Sequence, residues 1–268
     1  MRIVVTGTGP GSIGLATAEA LTAAGHEVGT STRVNMDLTD RASVEAFAAR
    51  VLDTGPIDVL INNAGVHLDL RNTWKQPQVV DGHEVHWRTN YLGTVQLTRA
   101  LLPALLERAA ETGEARVVHV VSKLHARGRN DAFFSDFGDT YSSWDAYGTS
   151  KLGLVHDAAS LAERYGDVGL RAYSLHPGAV ATGISARGME SSPVLKRLHA
   201  LAAPLEKVFL KSPETGARTS VHCATAPDAV SGYYDQERLK EPARQAGDLE
   251  ARAALWARTE EWLNGEAP

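Results

Sequence analysis

The chain has 268 residues, 43% hydrophobic and 22% charged, with a formal charge of −5 and a pI of about 6.1. That length and balance suit one doubly wound α/β domain, and no basic stripe or Lys/Arg run marks a nucleic-acid partner. The single cysteine, Cys223, excludes an internal disulfide and a metal site built on several thiolates; its apolar run Val221-His222-Cys223-Ala224 predicts a packed thiol.

Strand and helix patterns alternate along the chain, the mark of a parallel sheet with helices on both faces. Arg2–Thr6 reads as a short β-branched strand, and Gly7–Gly14 as a tight loop. Ile13–Ala24 reads as a helix ended by Gly25, Glu27–Thr32 as a second strand, and Asp40–Leu52 as an amphipathic helix. Ile57–Ile61 and Val117–Val121 are buried strands flanking one long helical pattern over Asp81–Ala110. Asp145–Tyr165 is a helix, Leu170–Leu175 a strand, and Thr215–Ala224 and Asp248–Leu263 are helices. The expected fold is a single-domain, Rossmann-like, doubly wound parallel sheet over residues 1–268. The chain opens Met-Arg and enters a strand pattern at once, and it holds no run of 18 apolar residues. Neither a signal peptide nor a membrane span is expected, and a cytoplasmic location follows.

Two segments break the alternation. Lys123–Trp144 is a long connection rich in glycine, asparagine and aromatics, and connections of that length are commonly functional. Ile184–Leu210 has an amphipathic pattern interrupted by Pro204, which prevents one continuous helix. Both follow strands on the side where open α/β sheets bind ligands. Ile184–Leu210 is therefore expected to be a substrate lid. The aromatic and apolar residues of the two segments (Phe133, Phe134, Phe137, Trp144, Leu198, Leu201) suit a bulky apolar small molecule, or else pack onto the core.

The chemistry is carried by three features. Thr6-Gly-Thr-Gly-Pro-Gly-Ser-Ile-Gly14 lies between a strand and a helix, where Gly7, Gly11, Ser12, Ile13 and Gly14 can turn tightly and present backbone N–H groups to phosphate. The second strand ends in Thr30-Ser31-Thr32-Arg33, with no carboxylate for a ribose 2′-hydroxyl and a guanidinium suited to a 2′-phosphate, so NADP(H) is favoured over NAD(H). Tyr147 and Lys151 are four apart on one helix face, with Ser122 at the end of the preceding buried strand. Free tyrosine titrates near ~10 and exchanges protons poorly at neutral pH. An adjacent ammonium is expected to favour the phenolate and bring that value down. A pair so tuned can trade a proton with an alcohol or a carbonyl.

The glycine loop, Asn62-Asn63-Ala64-Gly65, Asn90, Ser122, Tyr147, Lys151 and Pro177-Gly178 come in the order of a short-chain dehydrogenase/reductase, and the chain resembles that family over nearly its whole length. Ser212-Pro-Glu-Thr-Gly-Ala217, Ser231-Gly-Tyr-Tyr234 and Leu255-Trp256 resemble its retinol-dehydrogenase-like branch. The resemblance implies a proton-exchanging Tyr147, a Lys151 that tunes it and binds the nicotinamide ribose, a Ser122 that holds the substrate oxygen, and an Asn90 that supports a water relay. It implies that Asp37 and Leu38 touch the adenine, that Asn63, Ala64 and Gly65 back the adenine ribose, and that Pro177, Gly178, Val180 and Thr182 orient the nicotinamide. It also offers the two long helices as faces for a homodimer. Three departures stand out: a glycine loop one residue longer than the family's, a very short stretch between Arg33 and Asp37, and His119 and Val121 in place of the usual Asn and Ser. The residues leave open a same-fold enzyme without net redox (an epimerase, dehydratase or cyclase) and a nucleotide-binding sensor without turnover.

Overall fold

The computed structural model describes residues 1–135, 137, 140–178 and 212–265. Seven strands form one sheet: β1 Arg2–Val5, β2 Glu27–Thr30, β3 Val59–Asn62, β6 Ala115–Val120, β7 Leu170–His176, β8 Gly232–Asp235 and β9 Arg238–Lys240. Their order is β2-β1-β3-β6-β7-β8-β9. Ile3 pairs with Val28 on one side and Val59 on the other, all parallel; within this sheet of described residues the β8–β9 pair alone is antiparallel. The chain therefore reverses its lateral direction at β1, and the crevice between the C-terminal ends of β1 and β3 is the place where such sheets take ligands.

The central strands β1, β3, β6 and β7 are buried on both sides because both faces are covered. Val4, Leu60, Val117 and Ala172 pack against Phe47 of α2 (Arg41–Asp53), Leu97 and Leu101 of α3 (Gly93–Thr112), and Leu161 of α4 (Ser143–Tyr165). Their neighbours Ile3, Ile61, Val118 and Tyr173 face the other way, onto Leu21 of α1 (Ile13–Ala23) and Cys223 of α5 (Pro213–Thr225). Cys223 is a buried packing residue, and burial raises its pKa.

The expected helix over Asp81–Ala110 is three elements. Val79–Val80 (β4) and His83–Glu84 (β5) form a hairpin, Trp87–Leu92 is a π-helical turn, and α3 follows. Asp81 and Gly82 at the hairpin tip have φ of 52° and 74°, the left-handed pair that an Asp-Gly turn supplies. That local signal wins over the helical spacing around it.

The C-terminal helix α6 (Leu249–Leu263), capped by Asp248, lies across α3 and α4. Arg99 of α3 and Arg164 of α4 both stack on Trp256, at 3.9 and 4.4 Å from its ring centre. Beneath this clasp is a buried charged chain: Arg99 to Asp157 (2.6 Å), Asp157 to His119 (2.9 Å), and His119 Nδ1 to the Asn62 amide (3.2 Å). The Asn62 amide donates to Nδ1, so Nε2 carries the proton that bonds Asp157. Burial penalises the Asp157 charge, yet Arg99 and His119 outweigh it and hold its pKa well below the usual range. His119, the departure noted above, is the link that ties β6 into this chain. Among the described residues no helix is long and apolar enough to cross a membrane.

Candidate active site

The site is assembled at the C-terminal ends of β1, β3 and β6. After β1 the glycine loop turns over the strand end, and Ser12 caps α1, accepting from the Leu15 N–H at 3.0 Å. The extra loop residue thus leaves the helix start intact. Gly14 has to be glycine: a Cβ there would lie 2.4 Å from the Asn63 amide nitrogen and 2.5 Å from the Gly7 carbonyl. Asn63 donates to the carbonyls of Thr6 (2.9 Å) and Gly7 (3.2 Å), while the Thr6 hydroxyl accepts from the N–H groups of Asn63 and Ala64 at 3.0 Å. The residues expected to back a ribose also brace the loop. Gly7 and Gly11 are both left-handed, at φ 73° and 69°, and Ile13 opens α1. A tight turn at a helix N-terminus, with no room for a Cβ at Gly7 or Gly14 and open space at Gly9 and Gly11, fits a dinucleotide diphosphate.

The chain after β2 is exposed where an adenosine is expected. Arg33 is 78% exposed and pairs with Asp37 at 3.3 Å. Burial works against the Asp37 charge, but hydrogen bonds from Thr39 and the nearby Arg33 outweigh it and lower the pKa. Leu38 is buried, its carbonyl held by the Arg88 guanidinium at 2.6 Å.

Beyond β5, Asn90 sits within the π-helical turn, fully buried. Its side chain takes the Val66 N–H (2.7 Å) and donates to the Val66 carbonyl (2.9 Å) and to Ser150 (3.1 Å). Gly65 lies against Asn90 and Lys151; a Cβ there would sit 3.1 Å from Asn90 Oδ1 and 3.1 Å from Lys151 Nζ. Lys151 is buried, donating to the Val120 carbonyl at 3.1 Å, with its nitrogen 5.8 Å from the Tyr147 ring centre. Ser122, half-buried at the end of β6, accepts from Leu124 N–H and starts the next turn.

The electrostatics differ from the expectation of a phenol already acidified by lysine. Burial pushes Tyr147 up to about 12, with the neighbouring Ser122 hydroxyl pulling the other way. Burial also pushes Lys151 down to about 8. Desolvation of two adjacent groups therefore dominates over their mutual attraction.

Pro177 and Gly178 follow β7, with Gly178 at φ 93°. Val180, Thr182 and the expected lid Ile184–Leu210, including Leu198 and Leu201, lie outside the described residues. Of the aromatics expected either to suit an apolar substrate or to pack onto the core, Phe133 stacks on Trp87 in the core (5.5 Å, 25°) and Phe134 meets Trp87 edge-on. Trp144 does lie near the site, its indole donating to the Leu70 carbonyl at 3.1 Å. One neighbour of Tyr147 escaped the sequence reading altogether. His67 lies flat on its ring, centroids 4.1 Å apart and planes 7° from parallel. No spacing rule marks a lone histidine after Gly65-Val66.

Comparison with known proteins agrees with this architecture. A family model described as short chain dehydrogenase matches residues 29–192, beginning after the altered glycine loop. Retinol dehydrogenase 12 of Mus musculus is 36% identical over 226 residues, covering 82% of this chain and 66% of that protein. Retinol dehydrogenase 13 of Homo sapiens is 32% identical over 242 residues, covering 87% and 69%. The chain thus spans about two thirds of the length of these relatives. The crystal structure of an uncharacterised protein from Mycobacterium Paratuberculosis superposes with a TM-score of 0.71 at 25% identity, covering all of this chain and 94% of the other. With its sheet order, glycine cradle and these relatives together, the chain belongs to the short-chain dehydrogenase/reductase family, in the retinol-dehydrogenase-like branch.

Proposed function

We propose that this protein is an NADP(H)-preferring oxidoreductase that interconverts a carbonyl and a primary or secondary alcohol on a bulky apolar small molecule. The observation that carries the reading is the convergence of Ser122, Tyr147, Lys151 and Asn90 at the C-terminal end of the sheet, beside a glycine cradle. A bound nicotinamide would supply or accept the hydride. The Ser122 and Tyr147 hydroxyls donate to the substrate oxygen, and Tyr147 passes the proton as charge develops there. Lys151 spends one N–H on Val120 and keeps capacity for the ribose hydroxyls and for the phenolate formed in the step. Anchored through Val66 and Ser150, Asn90 holds the wall behind Lys151.

Arg33 supports the NADP(H) preference. It is exposed at the end of β2, and a guanidinium grips a 2′-phosphate in charge-assisted fashion. Asp37 beside it keeps the guanidinium in place at the cost of a nearby negative charge. Relatives named for retinol support an apolar substrate.

The test is consumption of NADPH by the purified protein with a carbonyl panel of retinal, decanal and 9,10-phenanthrenequinone, repeated with Tyr147→Phe. Loss of the hydroxyl should cut kcat by ~10²–10⁴-fold while NADPH binding is kept. A variant that retains more than about a third of kcat would remove Tyr147 from the proton step.

A further inference from the structure

His67 is buried, and among the described residues its Nε2 has no hydrogen-bond partner. Leaving a polar atom so costs about 1–3 kcal/mol, so its placement asks for a reason. The backbone on both sides of it is pinned. Before it, Val66 is bound at both its N–H and its carbonyl by Asn90. After it, the Leu68 N–H donates to His86 Nε2 at 2.9 Å. His86 is fixed in turn: its Nδ1–H donates to Glu84 at 2.7 Å. Glu84 is itself held by the Trp87 N–H (2.9 Å) and the Tyr141 hydroxyl (3.0 Å). The result is an imidazole laid parallel to the Tyr147 ring, with Trp144 edge-on to it at 4.8 Å.

We propose that His67 is a positioning residue for Tyr147, a flat plate that fixes the plane of the phenol from which the proton is exchanged. The part of this that concerns turnover rests on the function proposed above; the part that concerns the ring does not. A catalytic hydroxyl displaced by ~1 Å can cost ~10²-fold in rate, so a rigid stack on its ring is worth a buried polar atom. The plate stays uncharged. Burial, then the neighbouring His86 and Lys151, push the His67 pKa down to about 4, so no second cation forms beside Lys151 at neutral pH.

The test compares His67→Ala, His67→Leu and His67→Phe in the full chain. Leucine keeps the volume without a flat face, and phenylalanine keeps the flat face without nitrogens. Ring exchange of Tyr147 is followed by NMR on protein labelled with ring-¹³C tyrosine, its signals identified by their absence in Tyr147→Phe. Ring exchange should be slow in wild type and in His67→Phe, and at least about tenfold faster in His67→Leu and His67→Ala. With the same carbonyl panel, kcat should fall by ~10²-fold in the Leu and Ala variants, with the KM for NADPH unchanged, and His67→Phe should restore most of the rate. Unchanged ring exchange in both His67→Leu and His67→Ala would overturn the proposal, as would a His67→Phe variant that behaves like His67→Leu. Full turnover by Tyr147→Phe would instead sink the functional reading, while the ring measurement would still decide the role of His67.

Discussion

Replacing Lys151 by methionine should make the protein more stable and inactive at once. The ammonium is buried in the folded chain, and burial moves its pKa from the ordinary 10.5 to about 8. At about 1.4 kcal/mol per pH unit, holding that proton costs the folded state about 3 kcal/mol at neutral pH. The sign follows from proton counts. Between pH 8 and 10.5 the unfolded chain keeps a proton that the folded chain has released, so this group's contribution rises with pH through that window. Below the folded pKa the full penalty applies. Methionine keeps the length of the stem and removes the charge. It also loses the bond to the Val120 carbonyl, worth about 1–2 kcal/mol, which leaves a net gain of about 1–2 kcal/mol at pH 7. Urea unfolding of wild type and Lys151→Met without added cofactor, at pH 7 and pH 10, measures this directly. The variant should lead at pH 7, and the gap should close or reverse by pH 10. A less stable variant at pH 7, or a gap that ignores pH, would refute the view that Lys151 is held at the expense of the fold.

Two further outcomes follow from the same geometry. Arg33→Ala should weaken NADPH binding about tenfold and leave NADH binding within about twofold, because only NADPH carries the 2′-phosphate; fluorescence titration of both cofactors checks it, and equal losses would assign Arg33 to the diphosphate or the fold. Asp157→Asn should destabilise the chain by about 3–5 kcal/mol in urea, since it leaves the Arg99 guanidinium buried beneath Trp256 without its carboxylate; a change under about 1 kcal/mol would mean that Glu260 alone satisfies Arg99.

Much of the fold could be read before the structure, because its central strands are buried on both faces and α1, α2, α5 and α6 carry side-chain caps. The strand reading Arg2–Thr6 meets β1 at Arg2–Val5, and the helix Asp248–Leu263 meets α6 with Asp248 as its cap. What failed, failed for local reasons. The Asp81-Gly82 turn cut the long helical pattern, and the β8–β9 hairpin gave no warning because its left-handed turn is built from Gln236 and Glu237 rather than Asn-Gly or Asp-Gly. The site divides in the same way. Tyr147, Lys151 and Ser122 stand out by type and spacing and Asn90 only through the family resemblance, whereas the stack of His67 on Tyr147 joins residues far apart in sequence, on a loop pinned by Asn90 and His86. Nor does spacing register desolvation, which moves Tyr147 opposite to the direction its lysine neighbour suggests.

The central claim is net hydride transfer with Tyr147 exchanging the proton. It is tested most directly by incubating the protein with a carbonyl from the panel and NADPH carrying deuterium in both positions at C4 of the nicotinamide, then locating deuterium in the product by mass spectrometry. The account predicts an alcohol labelled at the carbinol carbon with wild type and almost none with Tyr147→Phe. A product that forms at the wild-type rate but carries no deuterium would contradict it and point to chemistry without net redox.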